Sequence, residues 1–512
     1  MEQIFIYLSL LLLSFIVYFA GFRKLSTTPS TPSNCRDPPE LAQYDPVFGF
    51  HHFWRSIQLR SQHKTLESLL YWNKLYGRTF KARSLGKLIF YISHPENVKA
   101  IFGASWRYWA TGRCVAMEPF CSRGFVTTDG DEWRTHRALL APTLNEANTI
   151  HLESLNAAYN RFLADIPDAV EVDLAPIFEE LFLDLSLQFL LGKKLSVVRS
   201  TESPVNMERF QKAFNASQFW MGLRLAFGGI GRMASVFSKN WKESISTVHS
   251  FVDFYVTLSV AELSQKESDI IEGKRPAQQP TESSLVSSLI AQRVPRDGIR
   301  SQVIQGMLVT QDTTGIVLSN TIFLLSRAPL IWKRLREEIA ALGPFENWTA
   351  IDLKRSKLLQ NIIQESLRIH PLFATNSRVA VKDTILPTGG GSDGLSPVLI
   401  PSGSKVNVCY HTMHHQSSVF GEEVELFNPD RWHTISPSAW EFLPFSHGPR
   451  GCAGRYRALT EASYVIARLA VQFERMESRD RRPWTEDLKL VVKNLYGCQA
   501  ALHAANGAVK EK

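Results

Sequence analysis

Residues 445–455 read Phe445-Ser446-His447-Gly448-Pro449-Arg450-Gly451-Cys452-Ala453-Gly454-Arg455. Three glycines, a proline and a lone cysteine stand directly before a run with helical periodicity, "RALTEASYVIARLAVQF". A cysteine at a loop-to-helix junction meets free backbone N–H groups and the positive end of the helix dipole, which favour a thiolate. Arg450 adds positive charge. Gly448, Gly451 and Gly454 let backbone approach a large flat object, or fold tightly back toward the sulfur. Pro449 removes a donor and stiffens the loop, and Phe445 supplies an aromatic shield. Three readings follow. The sulfur bonds a metal, it acts as a nucleophile with His447 as base, or it is a plain buried cysteine. The last would not need so many glycines.

The 512-residue chain is 44% hydrophobic and 21% charged, an ordinary globular balance with ample core. Length alone suggests two to four domains, or one large α-rich domain. The formal net charge of +8 is mild for this length; it suits an acidic partner, an anionic membrane surface or a scattered solvated surface. Cys35, Cys114, Cys121, Cys409, Cys452 and Cys498 contain no CxxC pair and no zinc-like spacing with histidine, so no disulfide scaffold is expected and the folded part faces a reducing compartment.

The twenty residues from Gln3 to Phe22 carry no charge, and Arg23-Lys24 follow at once. A helix of ~20 residues crosses a ~30 Å hydrocarbon core. The positive-inside rule then puts the bulk of the chain in the cytosol. A cleaved signal peptide fits worse, because the n-region lacks Lys or Arg and the apolar run is long. The expected domains are a transmembrane anchor over 1–22, a Pro/Ser/Thr-rich linker over 23–43 and a globular part over 44–512.

Helical periodicity dominates Thr65–Leu75 and Ser154–Leu191; strand-like runs occupy Thr79–Arg83 and Leu88–Ile92. Gln265–Ser284 is polar and reads as an exposed connection. Between Arg300 and Arg327 the sole charged residue is Asp312. A membrane span is the competing reading, but a mid-bilayer carboxylate costs roughly 2.5–3.5 kcal/mol. One long helix buried through the centre of a large domain fits better, ended by Pro329. Helices are also expected over Pro329–Leu342 and Lys357–His370, then strands and loops beyond Pro371. Gly389–Gly391 lacks the Gly-Lys-Ser/Thr end of a phosphate cradle and reads as a flexible strand connection. The fold class is mainly α with a minor β part.

The run FSHGPRGCAG resembles the haem-binding signature Phe-x-x-Gly-x-Arg-x-Cys-x-Gly of the cytochrome P450 superfamily at Phe445, Gly448, Arg450, Cys452 and Gly454. Four further stretches follow the family's order: WRTHR (Trp133, Arg137), VTQDTTG (309–315), ESLR (Glu365, Arg368) and FNPDRW, with Asp430 where the family has Glu. The resemblance covers nearly the whole chain. It is of the microsomal type, and the tail is most similar to fungal enzymes near the alkane and fatty-acid hydroxylases.

The resemblance implies the P450 fold behind one N-terminal transmembrane helix. It implies haem b with Cys452 as the axial thiolate, and propionate partners Arg137, Arg378 and Arg450 with the Trp133 indole N–H. It implies a buried Glu365–Arg368–Arg431 network, and Asp312 and Thr313 as the acid–alcohol pair that supplies protons during oxygen activation. Where the family has Ala/Gly-Gly this chain has Val309-Thr310, and the Thr310 hydroxyl can bond the carbonyl four residues back. Pocket candidates are Val309, Thr310, Thr314, Ala374 and Thr375. The implied activity is monooxygenation of an apolar small molecule, as a step in fungal secondary-metabolite biosynthesis or, alternatively, as an alkane or fatty-acid hydroxylase. The implied partners are the lipid bilayer and an NADPH–cytochrome P450 reductase, which makes NADPH an indirect cofactor; Arg134, Arg455 and Arg457 are candidates to meet it. No nucleic-acid partner is expected. The implied location is the endoplasmic reticulum membrane, single-pass, with the catalytic domain cytosolic. Readings from other classes are a reductase-independent haem-thiolate isomerase or dehydratase, and a non-catalytic haem-binding protein.

Overall fold

A computed structural model describes residue 32 and residues 34–147, 152–272 and 284–505. The expected anchor over 1–22 lies outside the described residues. Among those described, no single helix is long and apolar enough to cross a membrane. Packing already begins in the 23–43 stretch: Cys35 and Leu41 are buried, and the Leu41 N–H donates to the Lys81 carbonyl (2.8 Å).

The helices that build the site are α1 (Cys114–Cys121), α2 (Gly130–Ala138), α3 (Ala175–Leu191), α4 (Met207–Phe227), α5 (Lys239–Ile271), α6 (Arg296–Thr310), α7 (Thr313–Leu325), α8 (Lys357–Ile369), α9 (Tyr410–His414) and α10 (Arg455–Gln472). α7 is apolar nearly all round and almost wholly buried, as a helix through the middle of a large core must be. One core forms where α3, α7, α8 and α10 meet, around Phe178, Leu318, Ile362 and Val465. A second joins α1, α3, α4, α5 and α6 through Phe120, Leu187, Phe214, Phe251 and Ile304. α8 is amphipathic and lays Leu359, Ile362 and Ile363 into the first core.

The β part holds β1 (Thr79–Ser84), β2 (Lys87–Ile92), β3 (Trp109–Ala110), β4 (Thr375–Ala380), β5 (Thr384–Gly390), β6 (Ser396–Ile400) and β7 (Lys405–Cys409). One sheet has the order β1-β2-β7-β4-β3, antiparallel except for the β2–β7 pair. β5 and β6 form a hairpin. The triple glycine ends β5, where a Cβ on Gly390 would lie 2.3 Å from the Arg36 carbonyl oxygen. A strand connection agrees with the sequence reading, but the flexible one expected there is instead tight, with Gly389 and Gly390 packed inside β5.

Three expectations need correction. The periodic run 154–191 is two helices, Leu152–Ala164 and α3, separated by a short strand at Glu171–Asp173. Gln265–Ile271 continues α5 rather than opening a loop; residues 273–283 lie outside the described residues. The long central helix begins at Arg296 and is interrupted at Gln311–Asp312, between α6 and α7. Two side-chain bonds accompany the interruption. The Thr310 hydroxyl donates to the Gly306 carbonyl (3.0 Å) and the Thr313 hydroxyl to the Val309 carbonyl (3.0 Å). Such back-bonding competes with the helical ladder and bends it. Pro329 does not end this helix; it opens the next one, Pro329–Ala340, which turns away by 115°.

Candidate functional site

Cys452 stands three residues before the first residue of α10, and its N–H donates to the Phe445 carbonyl (2.9 Å), closing the loop on itself. Gly448 has φ +77, and a Cβ there would lie 2.0 Å from the Phe102 carbonyl oxygen, so no other residue fits. Gly454 differs: nothing crowds its Cβ position.

The Cys452 side chain is exposed. Even so, burial pushes its thiol up, and the Gly454 N–H, Arg137 and Arg455 pull it back. An exposed sulfur that still feels desolvation faces a recess walled by protein, not open solvent. His447 packs edge-on against Trp440. Among the described residues no hydrogen bond joins it to Cys452, which removes the geometry a nucleophile and its base would need. No cluster of three or more His, Cys, Asp or Glu among the described residues is placed to hold a metal. A metal at Cys452 must therefore bring its other ligands with it.

Around this loop the fold gathers guanidinium groups. Arg137 from α2 donates to the Gly451 carbonyl (3.2 Å). Arg450 donates to the Thr128 carbonyl (2.7 Å), pairs with Asp129 and lies over the Trp133 ring (4.6 Å). Arg378 from β4 donates to Asn376 Oδ1 (2.8 Å) and lies over the Phe102 ring (4.7 Å). Burial, then Arg113 nearby, pushes Arg378 down to about 9. Burial also brings Arg450 down to about 10, against the pull of Asp129.

Arg113, which sequence reasoning missed, joins the cluster. It reaches Asn376 Oδ1 at 3.4 Å, and burial lowers it while Asp129 and Tyr410 pull it back. Its local sequence, TGRC, carries no motif; only the pairing of β3 with β4 brings it here. Buried like charges repel strongly, and Asp129 is the one carboxylate acting on Arg113, Arg378 and Arg450 alike. The cluster therefore has an excess of positive charge awaiting anions. A flat dianionic group with an open metal position, beside an exposed sulfur, fits this recess, and haem with its two propionates is such a group.

The α6–α7 break holds the other predicted site residues. Every residue from Ser301 to Met307 is buried, yet Val309 is 40% exposed. Burial and then the Glu179 carboxylate raise the Asp312 carboxyl, while Lys493 pulls it back. Glu179 and Lys493 pair at 3.0 Å, and both are partly exposed. They thus link the Asp312 neighbourhood to solvent. Of the pocket candidates, Thr314 and Ala374 are buried, while Val309, Thr310 and Thr375 keep open surface.

The Glu365–Arg368–Arg431 network is present. Arg368 makes a forked pair with Glu365 (3.0 and 2.9 Å), and Arg431 Nε donates to Glu365 Oε1 (2.8 Å). The Trp432 indole and the Asn428 N–H also donate to that carboxylate (3.0 and 3.1 Å). Glu365 and Arg368 are fully buried. Removing one partner of such a pair leaves an uncompensated charge, a loss of about 3–5 kcal/mol. Asp430, the departure from the family pattern, is at the surface in a forked pair with Arg334 (2.8 and 2.7 Å).

Comparison with known proteins agrees with this geometry. The family profile described as Cytochrome P450 matches residues 46–497. The cytochrome P450 monooxygenase FPY7 of Fusarium mangiferae is 30% identical over 461 residues, covering 90% of this chain and 88% of that protein. The cytochrome P450 monooxygenase iccC of Talaromyces variabilis is 29% identical over 476 residues, covering 92% and 93%. The cytochrome P450 monooxygenase apdE of Emericella nidulans is 29% identical over 477 residues, covering 91% and 89%.

Proposed function

The chain belongs to the cytochrome P450 family, and from that premise we propose that it is a membrane-anchored monooxygenase that oxidises an apolar small molecule, as a tailoring step in fungal secondary metabolism. Haem-thiolate monooxygenation is its activity. The observation that carries the assignment is Cys452, at the head of α10, facing a recess ringed by Arg113, Arg137, Arg378 and Arg450. The fungal source of the similar monooxygenases supports the metabolic setting; alkane or fatty-acid hydroxylation has no better support.

When bound, the haem supplies the oxidising chemistry, with Cys452 as its protein ligand. The chain's own residues do the rest. Arg137, Arg378, Arg450 and the Trp133 indole hold the propionate edge, and Arg113 joins them. Phe445 packs beside the sulfur loop, where the Arg455 guanidinium lies over its ring (5.9 Å). Val309 keeps an exposed apolar surface, which would orient a nonpolar substrate and exclude water. Thr313 and Asp312 hold and pass the protons that the reaction consumes, Asp312 being exchanged with solvent beside Glu179 and Lys493.

Electrons come from an NADPH–cytochrome P450 reductase. Arg134 and Arg455 are exposed and available to meet it. Arg457 is less so, since it pairs with the buried Glu461 (2.7 Å) and lies over the Phe189 ring (4.2 Å). The uncharged run at Gln3–Phe22 supports a single-pass anchor in the endoplasmic reticulum membrane with residues 44–512 in the cytosol.

The assignment is tested by reconstituting the full chain with reductase, NADPH and labelled dioxygen, with substrates chosen from apolar fungal metabolites by the shift they cause in the haem absorption. One labelled oxygen atom in the product, dependent on NADPH, is expected. Conversion without reductase or NADPH would overturn it in favour of an isomerase or dehydratase. Binding without any product across the panel would favour a haem-binding protein.

A further inference from the structure

Two internal backbone bonds, from the Cys452 N–H to the Phe445 carbonyl and from the Gly451 N–H to the Gly448 carbonyl (both 2.9 Å), close the loop that carries Cys452 on itself but do not tie its base to the rest of the fold. One residue outside every motif stands where such an anchor is needed. His414 ends the short helix α9 and is fully buried. Its backbone carbonyl accepts a hydrogen bond from Arg368 Nη1 (3.1 Å). Its ring Nε2 accepts one from the Leu443 N–H (3.0 Å). One residue thus receives a bond from the Glu365–Arg368–Arg431 network on one side and from the base of the sulfur loop on the other.

The ring is suited to that task. Burial, with His415 and Arg368 close by, pushes His414 down to about 3, so the imidazole is neutral. Only a neutral ring has an acceptor nitrogen. The Leu443 N–H is directed at Nε2, so Nε2 is the acceptor and the neutral ring carries its proton on Nδ1. The ring also packs on Phe442 (5.0 Å). From Leu443 the bonds lead to the sulfur: the Ser446 N–H donates to the Leu443 carbonyl (3.0 Å), and the next residue but one after Leu443, Phe445, supplies the carbonyl that receives the Cys452 N–H (2.9 Å).

We propose that His414 is a positioning residue for the Cys452 thiolate, tying the sulfur loop to the buried Glu365–Arg368–Arg431 network through the Leu443 N–H. The proposal rests on the assignment of Cys452 as the haem ligand. Without the acceptor nitrogen, the Leu443 N–H is left buried and unpaired, and the loop can settle in arrangements where the sulfur is no longer held as a thiolate against the metal.

The test compares wild type, His414→Phe and His414→Gln, each as the full chain. His414→Phe keeps a ring of similar size and removes the acceptor; His414→Gln restores an acceptor oxygen. Hydrogen exchange needs no haem and reads the Leu443 amide directly. We expect about fivefold to tenfold faster exchange of that amide in His414→Phe, with α8 unchanged, and recovery in His414→Gln. In haem-loaded, reduced protein under carbon monoxide, His414→Phe should lose part of the thiolate-type band to the shorter-wavelength band of the thiol form, and His414→Gln should regain it. Wild-type exchange and spectra in His414→Phe would overturn the proposal. Equal damage in both variants would also overturn it, because shape rather than the acceptor would then matter. A wild-type protein that binds haem but lacks the thiolate band would instead sink the assignment of Cys452 itself.

Discussion

Asp312 shows what a functional position does to its own residue. Burial and Glu179 raise its carboxyl above the usual aspartate range, with Lys493 opposing. A carboxyl whose pKa is higher folded than unfolded binds more protons in the native state between those two values, so stability falls as pH rises through that window. Above the folded pKa the penalty is complete; below the unfolded value of 3.8 it is gone. Asp312→Asn is therefore expected to melt at a higher temperature than wild type at neutral pH, with the gap closing as the solution is acidified, while turnover falls. Thermal melts at several pH values check this, and a variant less stable than wild type at neutral pH would contradict it. Single residues were unevenly legible in the sequence. Cys452, Arg450 and Glu365 stand at fixed spacings that can be read directly from the chain. Arg113 and His414 have no spacing to read, because each meets its partners across a tertiary contact.

The break between α6 and α7 carries Asp312 and Thr313, the residues proposed to handle protons. Composition over 301–326 shows a buried helix well, since apolar residues surround it. It does not show that the helix is interrupted at Gln311–Asp312, where two threonine hydroxyls each bond a carbonyl four residues back. The Thr310 bond was foreseeable from its side-chain chemistry; its combination with Thr313 was not. Because the Thr313 hydroxyl gives its proton to the Val309 carbonyl, its lone pairs stay free to accept another. Thr313→Ala removes that hydroxyl and should raise hydrogen peroxide released per NADPH oxidised, about tenfold if it contributes at the low end of acid–base catalysis. Assays of peroxide and product together check this. Unchanged coupling would place the proton transfer on Thr310 or water instead.

At the scale of the whole molecule, two packed helical cores and a small sheet hold the elements that carry the sulfur loop, the arginine cluster and the α6–α7 break. The mainly helical class was legible because helical periodicity is long-range along the chain. The five-stranded sheet was only partly so, because β2 pairs with β7 across more than three hundred positions. Reductase docking belongs to this scale too. Exposed cations such as Arg134 and Arg455 steer an acidic partner over about 8–10 Å at moderate salt. The rate of haem reduction by reductase should therefore fall as ionic strength rises from low to physiological, and a rate independent of salt would contradict electrostatic docking. The claim beneath all of this is that Cys452 binds the haem iron as a thiolate. It is tested most directly by the absorption of the reduced protein under carbon monoxide: wild type should show the thiolate-type band at about 450 nm and Cys452→Ser should lack it, whereas a wild type without the band, or a Cys452→Ser variant that keeps it, would contradict the account.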